Sequence, residues 1–173
     1  MKWLMFAGIV LVSVVALVVI IGTLLPKSHV ASRSSHLRHS PERVWALISG
    51  DQSWRPTVRR YEALPDRGGR RTWKETDSRG NVITFETVES LPPKRLVTRI
   101  ADDKLPFGGS WTYEIEPRAD GCDLAITENG EVYNPVFRFV SRFIMGHTAT
   151  IVAYLEAIQK RLDEGGTAHG AGM

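Results

Sequence analysis

The sequence predicts an α+β domain: a curved antiparallel sheet of about seven strands around one long C-terminal helix, behind a single membrane-spanning helix. Three observations carry this. An uncharged apolar run covers Trp3 to Leu25, short β-branched segments punctuated by turn residues fill the middle, and apolar residues recur at spacings of three and four near the C-terminus.

The first run, WLMFAGIVLVSVVALVVIIGTLL, is 23 residues long. At 1.5 Å per residue it extends roughly 35 Å, enough to cross a hydrocarbon core of ~30 Å with some tilt. A cleaved secretory signal has an apolar region of about 7 to 15 residues followed by a small-x-small site. Leu24-Leu25-Pro26-Lys27 follows here instead, so residues 1–27 are predicted to be a retained anchor. Only Lys2 and the terminal amine precede the run, whereas Lys27, Arg33 and Arg38 follow it, and the positive-inside bias then keeps the large domain in the cytoplasm. The lone Cys122 neither requires nor excludes an oxidising compartment, and there is no N-x-[ST] sequon.

Residues 28–163 have the length of one domain, and the Gly-rich residues 164–173 are expected to be a disordered tail. Ser32 to His39 reads as a short strand. Ser40 then caps a helix with Pro41 in its first turn, Val44, Trp45, Leu47 and Ile48 form its buried stripe, and Gly50-Asp51 ends it. Strands are predicted at 58–64, 70–76, 82–89, 95–101, 110–116 and 123–131. The loops between them are short, so neighbours must be antiparallel. From Asn134-Pro135 to Arg161 the stripe Val136, Val140, Phe143, Ile144, His147, Ile151, Leu155, Ile158 and Leu162 predicts one long helix, with Arg138 and Arg142 on its solvated side. A bent sheet diverges from a straight helix, so a pocket suited to apolar ligands is expected between them.

The order and separation of Ser40-Pro41-Glu42-Arg43-Val44-Trp45, Trp54-Arg55-Pro56, Gly108-Gly109-Ser110-Trp111-Thr112-Tyr113 and Thr127-Glu128-Asn129-Gly130-Glu131 before Asn134-Pro135 resemble the START-like (SRPBCC) superfamily. This is the polyketide cyclase/dehydrase and lipid-transport family, with its Bet v 1-like helix-grip fold. The resemblance covers residues 31–163 and implies that fold. It implies no single activity, because cyclases, dehydratases, hydrophobic-ligand carriers, quinone-binding proteins and co-chaperones share the frame.

No catalytic motif is present: there is no G-x-S-x-G, H-E-x-x-H or phosphate loop. His36 and His39 lack a third ligand of matching spacing, so no metal and no cofactor is expected. The net charge of +3 is spread over separate pairs, Arg59-Arg60, Arg70-Arg71 and Lys94-Arg95, which excludes a nucleic-acid stripe. His147 stands on the apolar stripe beside Gly146, either as a cavity acid, base or ligand contact or as a satisfied core histidine. Glu128 and Glu131 end the last strand, as cavity carboxylates or as partners of Arg138 or Arg142. Tyr113 and Arg99 each offer a polar contact to a ligand or face outward. Trp54 and Phe143 belong to an aromatic set that is core, cavity lining or both. Leu105 and Phe107, among Pro106 and Gly108-Gly109, form a gate dipping into lipid or an ordinary loop folded back.

These residues predict binding or transfer of a lipid, quinone or other hydrophobic small molecule beside the bilayer. Two alternatives stay open: a cyclase or dehydratase acting on a membrane-associated substrate, and a partner-binding module with an empty cavity. A linker of about five to ten residues reaches on the order of 15 Å, which holds the domain near the lipid surface in each case.

Overall fold

The computed structural model describes residues 2–146 and 148–167. The apolar run forms helix α1, Lys2–Leu24, and among the described residues it is the one helix long and apolar enough to cross a membrane. Only Leu25, Pro26 and Lys27 separate it from strand β1, Ser28–Leu37, so the linker is shorter than expected. Helix α2, Pro41–Ser49, starts as the sequence requires. The Ser40 hydroxyl accepts from the Arg43 amide, and Pro41 occupies the first turn.

Strands β2 (Val58–Arg67), β3 (Arg70–Asp77), β4 (Val82–Leu91), β5 (Arg95–Ile100), β6 (Phe107–Arg118) and β7 (Gly121–Val132) run as an antiparallel meander. β1 pairs with β7, giving one seven-stranded sheet in the order β1-β7-β6-β5-β4-β3-β2. Strict alternation along β7 turns Cys122, Leu124 and Ile126 inward. They meet Val44 and Ile48 of α2 and Ile151, Leu155, Ile158 and Leu162 of the last helix, α4, Ala149–Thr167. The fold is therefore the predicted helix-grip arrangement.

The long C-terminal helix is not continuous. A short helix α3, Pro135–Val140, is capped by Asn134, whose side chain accepts from the Val136 and Phe137 amides. A π turn, Ser141–Met145, follows, closed by the Gly146 amide bonding to the Ser141 carbonyl. Gly146 then takes φ +71°, a left-handed conformation that favours glycine and cannot extend a right-handed helix. The extra residue in the π turn rotates everything before it out of phase with α4. Val136, Phe143 and Ile144 therefore leave the expected buried stripe and stand exposed. Conversely Arg138, expected on the solvated side, is buried. Helix α4 also runs through Gly165 and Gly166 to Thr167, into the expected tail; residues 168–173 lie outside the described residues.

Candidate functional site

A cavity of about 520 Å³ opens between the sheet and the C-terminal segment. At one end it is walled by β1, the start of β6, the end of β7, α3 and the π turn; at the other it reaches the connection from α2 to β2 and the inner faces of β3 to β6. Ile48, Val58, Ile83, Phe85, Ile100 and Trp111 supply apolar surface.

Within and just behind this lining sits a largely buried polar cluster. Arg55 and Glu75 form an ion pair, and Glu75 also accepts from the Trp73 indole at 2.9 Å. The Arg55 guanidinium lies 5.5 Å above the Tyr154 ring, which packs against Trp54, Trp111 and Tyr113. The Tyr154 hydroxyl donates to Gln52 at 3.2 Å, and Gln52 in turn holds the Leu47 and Ile48 carbonyls that end α2. Burial pushes the Tyr113 phenol up to about 12, opposed by the positive charge of Arg55, and burial drives Tyr154 well above its ordinary value. Both phenols therefore stay protonated at neutral pH and act as hydrogen-bond donors or acceptors, not as bases. Two buried donors in this region, Trp54 Nε1 and Arg55 Nε, have no hydrogen-bond partner.

At the other end His29 Nε2 lies 3.6 Å from the Glu128 carboxylate, and burial lowers the histidine's pKa. Backbone closeness shapes this end. A Cβ on Gly130 would overlap the His29 ring, and one on Gly109, already at φ +127°, would overlap the Asn129 carbonyl.

The predicted site residues divide accordingly. Phe107, Tyr113, Glu128 and Arg99 line the cavity, although the Arg99 guanidinium is engaged by the buried Glu86. Trp54 stands behind the lining, edge-on to Tyr154. Leu105 is half-buried in the loop before β6 and does not reach the cavity. Phe143 points outward and packs at a tilt against Phe139, the ring centroids 4.9 Å apart. His147 lies outside the described residues. Glu131 accepts from the Tyr133 hydroxyl instead of pairing with an arginine. His36 and His39 are held by different carboxylates, His36 by Asp123 and Asp120, and His39 by Asp163. Among the described residues no group of three or more His, Cys, Asp or Glu side chains is arranged to hold a metal.

Sequence reasoning missed His29, Gln52, Arg55, Trp73, Glu75, Thr98 and Tyr154 as site residues. For His29 a signal existed: in a strand beginning at Ser28, alternation turns His29, Ala31, Ser35 and Leu37 inward. Arg55 and Glu75 lie 20 residues apart on different elements, and no local pattern joins them.

A curved sheet gripping a helix over an apolar cavity with a few converging polar groups is the architecture of small-molecule-binding helix-grip proteins. The chain belongs to the polyketide cyclase / dehydrase and lipid transport family, whose sequence profile matches residues 28–163. Among solved structures it is similar to the di-domain aromatase/cyclase StfQ of the steffimycin biosynthetic pathway, with a TM-score of 0.63 and 14% identity. That match covers 81% of this chain and 52% of StfQ, so the chain spans about half the length of that relative. Protein MLL2253 from Mesorhizobium loti has a TM-score of 0.61 and 18% identity over 79% of this chain and 98% of its own. Norcoclaurine synthase from Thalictrum flavum has a TM-score of 0.61 and 16% identity, covering 79% and 87%. At these identities the likeness carries the fold. Comparison with curated proteins gives no match.

Proposed function

We propose that this protein binds a lipid, quinone or other hydrophobic small molecule in the cavity, and that α1 holds the domain at a membrane while it does so. The carrying observation is the cavity itself: about 520 Å³ lies within the ~300–1,000 Å³ typical of small-molecule sites, with mostly apolar walls around one polar cluster. Arg55 and Tyr113, backed by Tyr154 beneath the lining, would orient an oxygen-bearing head group, while the walls take the hydrocarbon. The basic residues Lys27, Arg33 and Arg38 after α1 favour a cytoplasmic domain.

A second reading, an enzyme of the cyclase or dehydratase type, draws on the same cluster. A half-buried cation beside two protonated phenols is a carbonyl-polarising arrangement, with His29 and Glu128 as proton-handling groups across the cavity.

The test is native mass spectrometry of the full chain, purified in mild detergent from a host that makes ordinary lipids and quinones. Wild type is expected to carry an apolar molecule that Ile83→Trp, which fills the cavity, excludes. An empty wild-type cavity overturns constitutive carriage and moves the weight to turnover or to a protein partner. Identification of the bound molecule, followed by its incubation with the protein, separates storage from conversion.

A further inference from the structure

We infer that α3 and the π turn are a lipid-facing seat, locked onto the end of α1, so that the cavity is loaded from the bilayer surface. The inference rests on the reading of α1 as a membrane anchor.

α1 is not a loose tether. Gly22 is its one buried residue, and a Cβ there would overlap the Pro135 carbonyl, so α1 and α3 touch backbone to backbone. Beside this contact the buried Arg138 donates to the Gly22 carbonyl at 3.1 Å and the Leu25 carbonyl at 3.3 Å. Gly22 lies in the last turn of α1 and Leu25 directly follows it, where carbonyls run out of partners within the helix. The same guanidinium donates to Val132 at 2.8 Å and Tyr133 at 2.9 Å, which tie it to the end of β7. One cation thus caps the anchor and fastens it to the domain.

A fixed anchor fixes what surrounds its exit from the lipid. Phe137, Phe143 and Ile144 are exposed by 45%, 61% and 72%, and all lie within ten residues of Arg138 along the chain. Phe137 and Phe143 are the only exposed phenylalanines among the described residues outside α1. Arg142 lies among them, exposed, with a stem long enough to lie along apolar surface while its head reaches phosphate. In a water-facing element this composition is unfavourable; at the boundary of head groups and acyl chains it is the composition of an interfacial segment. Continuity with α1 makes lipid the occupant. Phe137 and Ser141 also line the cavity, so the seat and the cavity wall are one element. An apolar ligand therefore has a path from the bilayer that avoids bulk water.

The experiment uses the full chain in vesicles of phosphatidylcholine and phosphatidylglycerol, with an environment-sensitive fluorophore on Leu11→Cys, Ile144→Cys or Val88→Cys. Native Cys122 is fully buried, so labelling goes to the introduced site. Vesicles contain lipids with a spin-label quencher either shallow or deep in the acyl chain. The proposal expects Leu11→Cys to respond to the deep quencher, Ile144→Cys to be quenched about two-fold or more by the shallow one, and Val88→Cys to respond to neither. Quenching at Leu11→Cys with none at Ile144→Cys overturns the seat while leaving the anchor intact. Absence of quenching at Leu11→Cys overturns the anchor, and the seat with it. Gly22→Leu added to Ile144→Cys is expected to reduce the shallow quenching toward the Val88→Cys level, with the domain's circular dichroism unchanged. Undiminished quenching in that folded variant overturns the role of the α1 contact.

Discussion

Glu75→Gln removes the charge that faces Arg55 and keeps the shape of the side chain. In the native protein Glu75 accepts from both Arg55 and the Trp73 indole, with side-chain exposures of 18% for Arg55 and 11% for Glu75. Breaking a fully buried ion pair by removing one partner costs about 3–5 kcal/mol, because the remaining charge is left uncompensated. Partial exposure and the neighbouring cavity admit some water, which reduces this to about 2 kcal/mol. For a chain of this size that lowers the melting temperature by about 4–8 °C. Arg55→Met combined with Glu75→Leu removes both charges and is expected to recover most of the loss, since a buried pair is roughly neutral against apolar replacement. The assay is thermal unfolding of the full chain in mild detergent followed by near-ultraviolet circular dichroism, together with ligand occupancy by native mass spectrometry. If the pair serves ligand binding, the double variant is stable and empty. A Glu75→Gln protein as stable as wild type would refute the reasoning from burial, and a stable double variant with full occupancy would refute the ligand-orienting role.

Tyr113→Phe removes a buried hydroxyl from the cavity lining; ligand affinity is expected to fall about five-fold, equivalent to about 1 kcal/mol, as read by titration with the identified ligand. Gly109→Ala adds a Cβ that overlaps the Asn129 carbonyl at φ +127°, and is expected to cost about 3 kcal/mol in chemical denaturation, whereas Gly8→Ala, where the added Cβ meets nothing within 4 Å, is expected to leave stability unchanged. The hydrogen bond from His36 to Asp123 raises the histidine's pKa above 6.5 and lowers that of the aspartate, which Arg118 also holds down. The histidine's contribution to stability is therefore complete below its unfolded pKa of about 6.5 and is lost as pH rises through the folded value. The aspartate's contribution is complete above its unfolded pKa of about 3.9 and is lost as pH falls through its folded value. A nuclear magnetic resonance titration is expected to show His36 above 6.5 and lowered in Asp123→Asn; an unmoved His36 would refute the pairing.

The local rules that made the fold legible operate within a few residues. The Ser40-Pro41 cap, the alternation of Cys122, Leu124 and Ile126, and the spacing of Ile151, Leu155, Ile158 and Leu162 are patterns of single elements, and they held. The break before α4 was hidden because the residues of α3 and the π turn keep a helical spacing of apolar side chains. Only their packing reveals that Phe143 and Ile144 face outward. Arg138 was misread for the same reason. Its charge signals solvent, and nothing local announces that the carbonyls of Gly22, Leu25, Val132 and Tyr133, at and just past the ends of α1 and β7, converge on it.

By itself the sequence determined the class of fold, the apolar N-terminal helix and the presence of a pocket, because hydrophobic periodicity and turn chemistry are short-range. The tertiary structure alone decided which side chains share that pocket and how α1 is fastened. Arg55 meets Glu75 across 20 residues of chain and Arg138 meets Gly22 across 116, and pairings at such distance follow from the curvature and register of the sheet, which no single segment encodes.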